Sequence, residues 1–226
     1  MDEEVQALAA RLVRRLKSVN ATITLAESCT GGLLASVLTD IAGASEWFKQ
    51  SWVCYSYESK IKELDVEPEV LEAKGAVNAT VAIQMAEGAR QKSGADLGIS
   101  ITGIAGPKAD HSSKPIGLVY VGIASAHWAN AESVQMGGTR QENKLSFAHF
   151  ALQTAIDCWD KARIRKEGEI AEKQREAAVA AVEKARTDAE RAKRAAEAAA
   201  GAPWQDDAWQ DPGKAISDDS DVAWQE

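Results

Sequence analysis

Three side chains with complementary chemistry, Ser28, Tyr55 and Lys60, lie in two short polar turns that each follow an apolar run. A serine hydroxyl is a weak nucleophile until a base takes its proton. None of the histidines (His111, His127, His149) sits in a motif that would supply that base. A lysine serves if it is uncharged, which requires burial or a nearby cation to bring its pKa down from about 10.4. A tyrosine hydroxyl can relay a proton to a leaving group. Together these types suit attack on a carbonyl carbon. Taken singly, each has a plainer reading: a helix-capping serine, a solvent-facing lysine and a core aromatic. Cys29 is either a rival nucleophile or a small buried packing residue.

The elements around these residues decide whether they meet. Thr22 to Ala26 are β-branched or apolar and predict a strand buried on both faces. Ser28 and Thr30 are capping types, and Gly31-Gly32 removes side chains where the backbone bends or nears a ligand. Leu33, Leu34, Val37, Leu38 and Ile41 then follow helical spacing, with Gly43 expected to end that helix. A hydroxyl at such a turn lies beside free N–H groups and the positive end of a helix, which suits a reaction that creates an oxyanion. Trp52 to Ser56 predict a second strand, running into a short helix that carries Lys60. Pro68 opens another helical turn, and Asn78 predicts the cap of a helix ended by Gly94. Ala95 to Thr102 read as a third strand. The loop after it, with Gly103, Ala105, Gly106 and Pro107, lets a backbone approach a phosphate or a flat ring. Pro115 to Ser125 form the strongest strand, and 132–136 an edge strand. Thr139 could cap a helix to about Trp159, placing Arg140 where it could pair with a phosphate. An amphipathic helix over 2–18 precedes them all.

Helices alternating with short strands predict an α/β fold. The expected form is a three-layer α/β/α domain with a mixed sheet, covering residues 1–160. Of the 226 residues, 45% are hydrophobic, enough for a full core. The net charge of -8 argues against nucleic acid as a partner. Three cysteines without C-x-x-C spacing argue against a disulfide framework or a zinc site. No run is long enough to span a bilayer and the start is acidic, so a cytoplasmic protein without membrane association is expected. Residues 161–200 are rich in Ala, Glu, Lys and Arg, with eleven basic against eight acidic residues, and predict a solvated single helix. Residues 201–226 are acidic and expected to be disordered. They repeat Trp-Gln-acid at 204–206, 209–211 and 224–226, either a docking motif for a protein partner or an incidental repeat.

Four motifs in order, A-E-S-C-T-G-G from Ala26, Y-S-Y-E-S-K from Tyr55, T-G-I-A-G-P from Thr102 and K-P-I-G-L-V-Y from Lys114, resemble the CinA C-terminal domain family of nicotinamide-mononucleotide deamidases over roughly 5–159. The resemblance implies hydrolysis of the carboxamide of nicotinamide mononucleotide to nicotinate mononucleotide and ammonia. By it Ser28 is the nucleophile, Lys60 the base and Tyr55 an assisting hydroxyl, while Thr102 lines the site and orients the lysine. It places Thr30, Gly31, Gly32, Gly103, Ala105, Gly106 and Arg140 with the bound nucleotide. No metal or cofactor is implied, and a homodimer is expected. The chain departs from the family's usual pattern at Tyr57 (usually Asn), at Thr139 (usually Asp) and in the loop 108–111. These departures keep open an alternative: a nucleotide-binding or scaffold protein of the same fold, with reduced or no turnover, recruited through its tail.

Overall fold

The architecture is that of a computed structural model describing residues 2–107 and 114–200. The loop 108–111 and the Trp-Gln-acid repeats lie outside the described residues. The chain divides into two compact units, Met1–Lys166 and Glu167–Glu226.

The first unit is built on a five-stranded mixed sheet in the order β2-β1-β3-β4-β5. Strands β1 (Ile23–Glu27), β2 (Phe48–Val53) and β3 (Leu97–Gly103) run parallel, while β4 (Leu118–Ala124) and β5 (Ala129–Gln135) are antiparallel additions. The helices are α1 (Glu3–Lys17), α2 (Leu33–Thr39), α3 (Tyr57–Leu64), α4 (Pro68–Lys74), α5 (Ala79–Ser93) and α6 (Arg140–Ala200). Side chains alternate along a strand, so the sheet presents a face to each of two cores. On one face Ile23, Leu25, Ile99, Ile101 and Val121 meet Leu12, Leu16, Leu34, Leu38, Phe147 and Leu152 from α1, α2 and α6. On the other, Ala26 and Cys54 join Leu64, Leu71, Val81 and Met85 from α3, α4 and α5. The result is the expected α/β/α arrangement.

The two faces are packed differently. Large apolar side chains separate α1 and α6 from the sheet. Against α5 the sheet offers Gly98, Ser100 and Gly122. A Cβ on Gly98 or Gly122 would collide with the carbonyl oxygen of Ala86 or Ala82. Ser100 Oγ donates to the Ala82 carbonyl and accepts from Gly122 N–H. That close approach places the N-terminal end of α5 and the turn before it beside the carboxyl ends of the parallel strands.

Several local expectations shift. Strand β2 lies earlier than 52–56 because Ser56 leaves the sheet to cap α3, accepting from Ser59 N–H at 3.1 Å. Helix α2 stops at Thr39, and Gly43, at φ +80°, starts a short 3-10 turn. Thr139 forms a capping box with Glu142: its N–H and hydroxyl donate to the carboxylate at 2.8 Å, and Glu142 N–H approaches Thr139 Oγ1 at 3.4 Å. The helix it opens does not end near Trp159. It continues through Ala200, because no glycine or proline interrupts it around Asp160. Burial changes there instead, and every described residue from Arg163 on is exposed. In the second unit, i,i+4 pairs such as Arg186–Glu190 (3.3 Å) and Lys193–Glu197 (3.9 Å) line the helix surface. Among the described residues no helix is long and apolar enough to cross a membrane.

Candidate functional site

Ligand sites of open α/β sheets form outside the carboxyl ends of parallel strands. Here the segments leaving β1, β2 and β3 meet there. Ser28 directly follows β1, Cys54 and Tyr55 follow β2, and Thr102 and Gly103 close β3. The Ser28 N–H donates to Ile101 O at 3.0 Å and Cys54 N–H donates to Glu27 O at 2.8 Å. The main chain thus ties the three strand ends together before any side chain is considered.

Lys60 reaches back from α3 into this junction and is fully buried, at 0% exposure, with Ser28 at 8%. Its Nζ donates to the carbonyls of Cys54 (2.6 Å) and Tyr55 (3.0 Å) and lies 3.2 Å from Ser28 Oγ. Burial penalises the ammonium form and brings its pKa down to about 8, although nearby Cys54 and Cys29 act the other way. A neutral lysine carries two N–H groups and one lone pair. The two carbonyls can take the N–H groups, leaving the lone pair to accept from the Ser28 hydroxyl. Burial drives the Cys29 thiol the opposite way, up to about 12, which disfavours its thiolate, and its side chain packs in the core at 5% exposure.

Tyr55 is more than half exposed, not a core aromatic. Its hydroxyl lies 3.4 Å from Cys29 O and accepts from Arg140 Nη2 at 3.0 Å. Arg140 Nη1 donates to Gly106 O at 2.8 Å, so the guanidinium joins the phenol to the glycine loop. Buried Asn143 holds the same loop, donating from Nδ2 to Ala105 O (3.0 Å) and Gly138 O (3.1 Å). Ser28, Lys60, Tyr55, Arg140 and the glycine loop border a cavity of about 280 Å³ lined also by Thr102, Gly103, Tyr57, Gly75 and Lys114. Among the described residues no cluster of His, Cys, Asp or Glu could hold a metal ion.

The CinA C-terminal domain model matches residues 5–159. The chain belongs to the CinA family. It is 44% identical over 136 residues to a CinA-like protein of Geotalea daltonii, covering 60% of this chain and 33% of that one. A CinA-like protein of Chlorobaculum tepidum is 45% identical over 147 residues, covering 63% and 35%. The chain therefore spans about a third of the length of these relatives. Among solved structures, the competence/damage inducible protein CihA of Agrobacterium tumefaciens is 35% identical with a TM-score of 0.66, covering 68% of this chain and 94% of that one. A CinA superfamily protein of Escherichia coli is 30% identical with a TM-score of 0.66, covering 69% and 91%.

Of the residues expected from the family motifs, Ser28, Tyr55, Lys60, Thr102, Gly103, Ala105, Gly106 and Arg140 border the one cavity. Thr30, Gly31 and Gly32 do not line it. Gly31 and Gly32 make the bend itself, at φ +63° and +92°, and Thr30 is buried with no partner for its hydroxyl among the described residues. Thr102 Oγ1 donates to Ala76 O at 2.9 Å, so the lysine is oriented by the carbonyls of Cys54 and Tyr55 and not by this threonine.

The expected helix cap also differs. Neither Ser28 nor Thr30 caps α2. Buried Glu27 does, accepting from the N–H groups of Gly32 (2.9 Å), Leu34 (3.2 Å) and Ala35 (2.8 Å). Those three donors are therefore not free for an oxyanion. The signal was present in the sequence as an acid at the end of an otherwise apolar strand, just before a Gly-Gly bend. Lys114 was also missed as a site residue. Its Nζ donates to Lys74 O and Val77 O, both at 2.6 Å, a pairing forty and thirty-seven residues away that no local spacing reports.

Proposed function

We propose that this CinA-family chain is an amidohydrolase converting nicotinamide mononucleotide to nicotinate mononucleotide and ammonia. The observation that carries the reading is the buried Lys60 Nζ at 3.2 Å from Ser28 Oγ, at the floor of a cavity bordered by two cations in a chain of net charge -8. Neutral Lys60 takes the Ser28 proton as Oγ attacks the carboxamide carbon. The resulting oxyanion must find donors other than the three N–H groups held by Glu27. On collapse the C–N bond breaks and the nitrogen leaves as ammonia, taking the proton from Lys60 directly or through the Tyr55 hydroxyl. Water, deprotonated by Lys60, then cleaves the acyl-serine ester, releasing nicotinate mononucleotide and restoring Ser28. Every step uses side chains of this chain and water.

The test is ammonia release by the purified chain, with Ser28→Ala as control. Release by wild type and none by Ser28→Ala, with mononucleotide binding retained, supports the proposal. Release at the wild-type rate by Ser28→Ala disproves it. The second reading, a nucleotide-binding protein with little or no turnover, is favoured by Tyr57, which lines the cavity at a position where the family usually carries Asn. Calorimetric binding without ammonia release would establish it.

A further inference from the structure

One wall of the cavity carries two polar groups that the catalytic assignment leaves unused. Lys114 Nζ donates two of its hydrogens to Lys74 O and Val77 O, which lie on either side of Gly75. An ammonium has a third N–H. Here it has no other partner among the described residues, and Lys114 borders the cavity. The Tyr57 hydroxyl likewise has no partner there, and its side chain is 41% exposed at the same cavity. Both groups approach one point. A Cβ built on Gly75 would lie 3.5 Å from the Tyr57 hydroxyl and 3.9 Å from Lys114 Nζ. Gly75, at φ +70°, carries no side chain there, so the two donors converge over its bare backbone.

Arg140 is differently placed. Both of its terminal nitrogens already donate, to Gly106 O and to the Tyr55 hydroxyl. Its guanidinium acts as a brace between the glycine loop and the phenol. Lys114, held by two carbonyls and partly dehydrated, keeps its third N–H for the cavity beside Tyr57, whereas two of the five N–H groups of Arg140 already brace the loop and the phenol.

We propose that Lys114 and Tyr57 form the phosphate subsite of this cavity, receiving the phosphomonoester of the nucleotide above Gly75, while Arg140 positions Tyr55 and the glycine loop. This rests on the nucleotide reading given above and adds which residues select the phosphorylated ligand. A phosphate accepts from a lysine and a hydroxyl at once through separate oxygens. Tyr57 supplies a hydroxyl where the family usually carries an amide, so the subsite is in part particular to this chain.

The test is calorimetric titration of the full chain, in wild-type, Lys114→Met and Tyr57→Phe forms, with nicotinamide mononucleotide and with nicotinamide riboside, which lacks the phosphate. Lys114→Met should weaken mononucleotide binding by about ten- to a hundredfold, the loss of a charge-assisted hydrogen bond, and riboside binding by less than about threefold. Tyr57→Phe, which leaves the Lys114 anchors intact, should cost about three- to tenfold on the mononucleotide alone. Equal losses on both ligands would show Lys114 to be a structural anchor only and overturn the proposal. Selective loss of phosphate discrimination in Arg140→Gln, with Lys114→Met unaffected, would also overturn it. Because the readout is binding, wild-type affinity without ammonia release removes the hydrolase reading and leaves this subsite standing. Ammonia release without phosphate discrimination at Lys114 does the reverse.

Discussion

Two lysines border the same cavity and are held in the same way, yet the surroundings give them different chemistry. Lys60 donates to the carbonyls of Cys54 and Tyr55, and Lys114 to those of Lys74 and Val77. Burial lowers the pKa of both. Lys60 is wholly enclosed, and its pKa falls to about 8 with a serine hydroxyl beside it. Lys114 is half-buried, and its remaining donor faces the cavity. Identical anchoring thus leaves a strongly desolvated lysine beside a serine hydroxyl at the floor and a more exposed lysine at the wall. The degree of desolvation, not the hydrogen-bond pattern, separates them.

The largest expected effect tests the floor. Ser28→Ala should lower the rate of ammonia release by at least about 10⁴-fold, and Lys60→Met by about 10³-fold or more, with Lys114→Met far milder in kcat. If Lys60→Met and Lys114→Met cost kcat equally, the distinction between the two lysines is lost. Melting curves should accompany Lys60→Met, since it leaves the carbonyls of Cys54 and Tyr55 without their donor.

Next comes pH. A base of pKa about 8 is mostly protonated below that value, so kcat/KM should rise about tenfold per pH unit up to about 8 and then level. Lys114→Met should keep that limb. A profile flat from pH 6 to 9 would remove Lys60 as the base. Stability carries the same signature. The folded state binds the Lys60 proton less tightly than the unfolded chain, whose lysine titrates near 10.4. The penalty is complete below pH 8 and is relieved as pH rises from about 8 to 10.4, so this group makes wild type more stable across that window. Lys60→Met should lack that rise in a denaturant titration.

A smaller effect concerns how the floor is aimed. Glu27→Gln replaces a buried carboxylate that caps α2 just before Ser28. It should cost roughly 2–3 kcal/mol of unfolding free energy, since an amide accepts those N–H groups less strongly and brings its own donors toward them. Denaturation of the variant at the wild-type midpoint would contradict the assignment of Glu27 as the cap. The smallest effect belongs to the wall behind Lys114. Thr102→Val removes the bond to Ala76 O but nothing from Lys60. Ammonia release should fall by less than about threefold, while a thousandfold loss would restore Thr102 as the residue that orients the lysine.

Much of the frame was legible in residue order. The apolar stripe of α1, the Pro68 start, the Asn78 cap and the Gly94 stop are local features, and the structure places each where its spacing implied. The cavity residues after β1, β2 and β3 were legible because glycine and hydroxyl types concentrate where strands end. Less legible were features whose cause lies elsewhere in the chain. Gln50 belongs to β2 because β1 pairs with it, although glutamine is unremarkable for a strand. The end of α6 could not be read from the composition change near Lys161, since burial changes there while helix propensity does not. Thr102 lines the cavity, but the partner of its hydroxyl, Ala76, lies twenty-six residues away.

Local pattern was enough to show an α/β chain, to name Ser28, Tyr55 and Lys60 as reactive types, and to locate the loops that hold them. Such conclusions follow from periodicity, capping and backbone freedom, which act within a few residues. Tertiary structure alone decided that burial brings the Lys60 pKa down to about 8 beside Ser28, that it drives the Cys29 thiol up to about 12, that Glu27 takes the helix N–H groups and that Lys114 borders the cavity. Those outcomes depend on which distant atoms exclude water from each group, and desolvation cannot be read from neighbours in sequence.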